Sequence, residues 1–232
     1  SAAIVNGLNS EEINAEKGLR DARFEGREAT ANNLAVTGSL LYYWKSLRVQ
    51  VSGYYGGSVG LSSREADSLQ LESGIFGTPV SLVEANFSYQ KKGWSLKGLF
   101  TVANIPDANR INRAYAKNCP EQMTGYYAEA GYNVLRLFND STRKNLSLFL
   151  RYESVQINDK MPENGIRNEM NNQTFLTAGI NYTPVHGVVI KADVNLKHTG
   201  VPNPVLQSIP FPEALPYEQD QTIFSLGLGY SF

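Results

Sequence analysis

The chain has 232 residues with 21 Lys and Arg against 22 Asp and Glu, a formal charge of −1 that removes any nucleic-acid partner recruited by bulk charge. Its length allows one large domain or two small ones, and its one cysteine, Cys119, lies in a polar stretch and makes neither a disulfide framework nor a metal cluster. No run reaches the roughly 18 apolar residues of a membrane-spanning helix, and the mean hydropathy is −0.30, yet a membrane β-barrel also averages polar because its strands show lipid only every second residue.

The opening "SAAIVNG" lacks a basic segment followed by an apolar one, so either a signal peptide has been removed or the chain begins partway through a longer protein. "AAIVNG" reads as the end of a strand. From there alternation dominates. In "NLAVTGSLLYYW", from Asn33, one phase runs Leu34, Val36, Gly38, Leu40, Tyr42, Trp44. In "LRVQVSGYY", from Leu47, Val49 and Val51 oppose Arg48, Gln50 and Ser52. "SLVEANFSYQ" sets Val83, Ala85, Phe87 and Tyr89 against Glu84, Asn86, Ser88 and Gln90. Further strands follow in "WSLKGLF" from Trp94, "GYYAEAGYNV" from Gly125, "NLSLFLRYE" from Asn145, "TFLTAGINYT" from Thr174 and "GVVIKADVNLK" from Gly187. The last is "TIFSLGLGYSF", from Thr222, where Phe224, Leu226, Leu228, Tyr230 and Phe232 alternate with small or polar residues. No amphipathic helix is expected.

Short links at Lys45-Ser46, Lys91 to Gly93 and Pro184 to His186 alternate with long polar ones: Leu8 to Asn32, Gly57 to Pro79, Asn104 to Gln122, Asp159 to Asn171 and Gly200 to Asp220. Leu135 to Lys144 is intermediate and falls on the short side by parity. This is the pattern of an all-β, antiparallel up-and-down transmembrane barrel of outer-membrane type, with short periplasmic turns and long outer loops. A soluble β-sandwich also alternates, but its exposed face carries well-spread charges and seldom so many Gly, Ser and Thr. Here aromatics gather near strand ends (Tyr42, Trp44, Tyr89, Trp94, Tyr132, Tyr152, Tyr182), as interfacial girdles require. Leu228, Tyr230 and Phe232 on the closing strand fit an assembly signal read by the barrel-assembly machinery, with the aromatic end at the lipid interface.

Some stretches go beyond architecture. "IVNGLNSEEINAEKGLRDARFEGREATANNLAVTGSLLYYW", "LRVQVSGYYGG", "NIPDANRIN", "GYYAEAGYNVL" and "VVIKADVNLKHTGVPNP…GLGYSF" resemble, in segments over essentially the whole chain, the carboxy-terminal part of the phosphate-selective porin O and P family. The resemblance implies a barrel of about sixteen strands, often a homotrimer, in the outer membrane of a Gram-negative-type bacterium, with a water-filled lumen for small anions and no cofactor. Only nine or ten strands are visible, so residues 1–232 read as a single barrel domain lacking its amino-terminal strands, since an open edge in lipid leaves backbone groups unpaired.

The concentrated Arg and Lys on which that family's selectivity rests are missing. The polar phases carry Arg48, Lys97, Arg151, Lys191 and Lys197, nearly cancelled by Glu84, Glu129, Glu153 and Asp193. These nine are the expected pore-lining charges. The loop Glu11 to Glu28 is either a solvated hairpin or a segment folded inward; if inward, Arg20, Arg23 and Arg27 are its candidate anion contacts. His186 and His198 read as rim residues outside any nucleophile constellation, so no enzyme is expected. Asp107, Asn109 and Asn112 in "NIPDANRIN" lack the Gly and distal Glu of a calcium loop and read as turn formers. Asn86, Asn139, Asn145, Asn172 and Asn181 each begin an N-x-S/T triplet and read as pore-lining polarity. The function expected is passive diffusion of small hydrophilic solutes or phosphate-like anions; the alternative is an accessory barrel with a plugged lumen that binds partner proteins.

Overall fold

The computed structural model describes residues 1–24, 31–139, 144–203 and 218–231. Ten strands form one antiparallel sheet in which every strand pairs with its neighbours in sequence, in the order β1 to β10. They are β1 (Ala2–Asn6), β2 (Leu34–Trp44), β3 (Leu47–Gly56), β4 (Val80–Lys91), β5 (Trp94–Asn104), β6 (Gln122–Asn133), β7 (Asn145–Lys160), β8 (Asn172–Thr183), β9 (Val188–Thr199) and β10 (Asp220–Tyr230). Among the described residues β1 pairs only with β2 and β10 only with β9, leaving the sheet two edges. No described helix is long and apolar enough to cross a membrane.

The expected strands all form. β7 runs further than expected, to Lys160, because "SVQINDK" continues the ladder and a bulge between Gln122 and Thr124 absorbs the register shift. The tight turns follow from local chemistry. Lys92 and Gly93 both take positive φ, 50° and 88°, the twist that suits a two-residue hairpin. Cross-strand pairing also supplies what glycine lacks: Gly98 sits opposite Phe87, whose ring occupies the space a Cβ at Gly98 would need.

The hydrophobic core does not lie under the sheet. Strand residues alternate between exposed and half-buried, and the apolar phase faces outward across the sheet: Leu40 is 75% exposed, Leu226 82% and Phe224 81%. The chain exposes 14676 Å², against roughly 10,400 Å² for a compact protein of this mass. The buried cluster sits instead among the long loops, where Ile13, Val59, Leu71, Ile105, Ile111 and Cys119 pack together.

Two helices hold part of this cluster. α1 (Ser63–Ser68) begins with a capping box between Ser62 and Glu65. α2 (Ala108–Tyr115) buries Ala108, Ile111 and Asn112, a spacing of three and four that places them on one face. The expectation of no amphipathic helix is therefore corrected, as is the reading of Asn109 and Asn112 as turn formers, while Asp107 lies in the turn that precedes α2. Cys119, despite its polar neighbours in sequence, is fully buried.

Asparagine side chains tie these loops together by pairing with open backbone groups. Asn112 Oδ1 accepts from the Cys119 amide at 2.5 Å, and Asn118 bonds both the amide and the carbonyl of Ile166, at 2.9 and 2.7 Å. Asn164 donates to the Asn109 carbonyl at 2.8 Å, and Asn203 donates to that of Arg167 at 2.8 Å. Asn172 is buried and accepts from the Asn158 amide at 3.0 Å, so this one triplet asparagine is a loop latch and not pore-lining polarity.

Burial pushes the Cys119 thiol up to about 12, since the apolar surroundings disfavour the thiolate. At pH 8 Cys119 should therefore resist a thiol-modifying disulfide reagent in the folded protein and react quickly in denaturant. Ile111→Ala, which leaves a cavity worth about 2–5 kcal/mol, should speed modification without denaturant. A wild-type thiol that reacts as fast as a free cysteine would contradict the packed loop core.

Candidate functional site

Residues opposite one another in adjacent strands point to the same face. Following the register across the sheet gives one row: Arg48, Ser88, Lys97, Glu129, Arg151, Thr177 and Asn195. The next row toward the long loops runs Gln50, Asn86, Leu99, Tyr127, Glu153, Phe175 and Lys197. All nine charges predicted for the polar phase thus share one face.

The structure brings four of them into a single network. Glu129 lies between two cations, 3.0 Å from Lys97 Nζ and 3.5 Å from Arg151 Nε, and Arg151 Nη1 lies 3.7 Å from Glu153. The Glu129 side chain is only 16% exposed, so it acts as the hub. Lys191 and Asp193 form a separate pair at 3.2 Å. Arg48 donates to Gln50 at 2.6 Å and Glu84 accepts from Asn86 at 2.6 Å. Lys197 stands two strands from Glu153 in its row. Near-cancellation of charge in the sequence is thus cancellation by contact for six of the nine residues.

At the short-turn rim a hollow of about 440 Å³ is lined by Lys91, Lys92, Lys97 and Arg136, with Glu129 the one acid in its wall. Positive charge therefore gathers at that mouth, beyond the neutral network.

At the long-loop rim the first loop settles the choice between a solvated and an inward segment for its described part. Residues 7–24 fold over the polar face: Ile13, Ala15 and Ala22 are buried, and a Cβ at Gly18 would stand 3.0 Å from Met123 Sδ. The charges in this segment stay at the surface. Arg20 and Arg23 are exposed, Lys17 pairs with Asp21 at 2.7 Å, and Arg27 lies outside the described residues. On the last strand Leu228 and Tyr230 are 77% and 71% exposed, and Phe232 lies outside the described residues. His186 is exposed in its turn, and His198 Nδ1 lies 2.7 Å from Asp220. No group of His, Cys, Asp or Glu among the described residues could hold a metal ion.

Sequence reading missed the apolar part of the polar face. Leu82, Leu99 and Met123 share it with the charges and, with Leu19 above, line a hollow of about 380 Å³. The sequence carried part of the signal, since Leu82, Leu99 and Met123 fall in the polar phase of their strands.

No family model matches the sequence. The chain is 27% identical over 204 residues to an uncharacterised protein of Aquifex aeolicus, an alignment covering 83% of this chain and 44% of that protein. The chain thus spans less than half the length of this relative.

Removing the hub should expose its role. Glu129→Gln leaves Lys97 and Arg151 facing each other without their shared acid, and should cost about 1–3 kcal/mol in urea unfolding from detergent micelles. Adding Lys97→Gln should recover part of that loss. Costs that simply add would show that the contacts carry no coupling.

Proposed function

We propose that this chain is a ten-strand portion of an outer-membrane β-barrel whose polar face lines a channel for small hydrophilic solutes. The observation that carries the reading is the continuous exposed apolar face set against a face of charges, hydroxyls and amides. A sandwich has to bury that apolar face, whereas lipid leaves it as it stands. Trp44, Trp94 and Tyr132 near the short turns support an interfacial girdle on the same side.

The edges of β1 and β10 cannot face hydrocarbon, because each unpaired amide there costs several kcal/mol. Closure in this reading comes from strands of a longer parent chain, of which the relative's greater length gives an example. The segment wording supports a place near the phosphate-selective porin O and P family, with its homotrimer as the assembly to test. We take the channel from that family and not the selectivity. Solutes pass by diffusion, and fixed charge in a low-dielectric wall sets their preference.

A second reading has its own support. The loop core covers part of the polar face at the long-loop rim, as a plugged accessory barrel that binds partner proteins requires. Full-length protein in a planar bilayer separates the two: stepwise conductance supports the channel, and a silent bilayer supports the plug.

Because six of the nine charges are paired, the open channel should prefer phosphate over chloride only weakly. The reversal potential in a salt gradient should lie close to that of a neutral pore, and millimolar phosphate should block chloride current little. Glu129→Gln removes one negative charge between two positive ones and should move the reversal potential toward anions. Strong block of the wild-type current by micromolar phosphate would sink this expectation.

A further inference from the structure

The apolar hollow on the polar face stands beside charges with unused bonding capacity. Leu82, Leu99, Met123 and Tyr127 form its wall, Glu153 and Lys17 line its edge, and the Lys17 ammonium is already engaged by Asp21 at 2.7 Å. The Arg151 guanidinium lies over the Tyr127 ring at 4.6 Å. Its contacts to Glu129 and Glu153, at 3.5 and 3.7 Å, are ion pairs too long for good hydrogen bonds. Arg151 Nε is buried without a hydrogen-bond partner. Among the described residues no hydrogen bond reaches the Glu153 carboxylate either. Arg151 adjoins the recess through Tyr127 and Glu153 without lining it, so its guanidinium and the Glu153 carboxylate stand side by side next to the apolar wall.

Resting on the reading of this face as the wall of a solute passage, we propose that the hollow binds the zwitterion of an apolar α-amino acid. The carboxylate pairs with Arg151, the ammonium with Glu153, and the side chain lies against Leu82, Leu99 and Met123. Charge decides among the ligand classes. A simple carboxylic acid would bring its anion beside Glu129 and Glu153 with Arg151 already shared between them. A simple amine would answer Glu153 and leave a second cation beside Arg151. Only a ligand with both charges adjacent satisfies both groups without net charge in a partly desolvated site. The volume, about 380 Å³, lies within the range of about 300–1,000 Å³ typical of small-ligand sites.

The test uses the full-length protein in detergent micelles, with folding verified by heat-modifiable migration. L-phenylalanine, 3-phenylpropionate, 2-phenylethylamine and L-alanine are each titrated by calorimetry. Phenylalanine should bind about tenfold more tightly than each of the others, the scale of one charge-assisted contact or of one buried apolar side chain. Glu153→Gln should abolish its advantage over 3-phenylpropionate. The ligand series on the wild-type protein stands without that variant. Binding of the acid, the amine or alanine as tight as that of phenylalanine overturns the proposal, and so does failure of phenylalanine to bind. Conductance of the same preparation is scored separately: a pore that conducts without binding phenylalanine sinks the site alone, and a silent bilayer with binding intact sinks the channel alone.

Discussion

Everything in this molecule depends on an unbroken antiparallel register. From β1 to β9 each strand pairs with the next, and the irregularity between Gln122 and Thr124 is the only register shift between the described strands. A slip of one residue anywhere would exchange the faces of every strand beyond it. Because no such slip occurs, Leu40, Phe100, Leu150 and Phe224 can all lie on one side while Arg48, Lys97, Glu129 and Arg151 lie on the other. The bulge sits at the long-loop end of β6 and β7, outside the rows that carry the charge network, so its disturbance does not reach Glu129.

The same constraint explains where the core had to go. A sheet with one face exposed and apolar and the other polar has no interior of its own, so burial must come from the connections. The long loops supply it with Ile13, Val59, Leu71, Ile105 and Ile111, while asparagine amides close the backbone groups that irregular chain leaves open. Amides suit this task because one side chain both donates and accepts, as Asn118 does toward Ile166. The loops are thereby bound to one another as well as to the strands, and the part of the polar face beneath residues 7–24 becomes a fixed recess.

Period-two alternation made the strands legible, and the parity of short and long connections made their order legible. β7 was underestimated because "SVQINDK" mixes polar residues into both phases after Glu153. The loop core was illegible for a different reason: its residues are separated by strands and meet only when three connections are brought to one rim. α2 could have been read from Ala108, Ile111 and Tyr115, but Asn and Arg dominate its sequence and hide the stripe. The nine charges were placed on one face from sequence alone. Their pairing could not be, since alternation fixes the face a side chain occupies and leaves open which neighbour across the ladder it meets. Lys97 and Glu129 are 32 residues apart and touch only because of the register.

That register also decides how the network behaves. Glu129 is held between Lys97 and Arg151 at the shorter distances, and Glu153 is left with the longest contact, 3.7 Å. One carboxylate is committed to two cations, while the other is satisfied by none at hydrogen-bonding distance. A network of two acids and two bases could have closed as two tight pairs, which would have left no charge in it unmet. Sharing Glu129 prevents that closure. The network is neutral as a whole, but Arg151 and Glu153 keep opposed, partly unmet charges beside the apolar recess, where desolvation makes each worth more than it is in water. Neutrality over the network works against preference for one ion sign, and the proposed zwitterion site rests on the local imbalance within it.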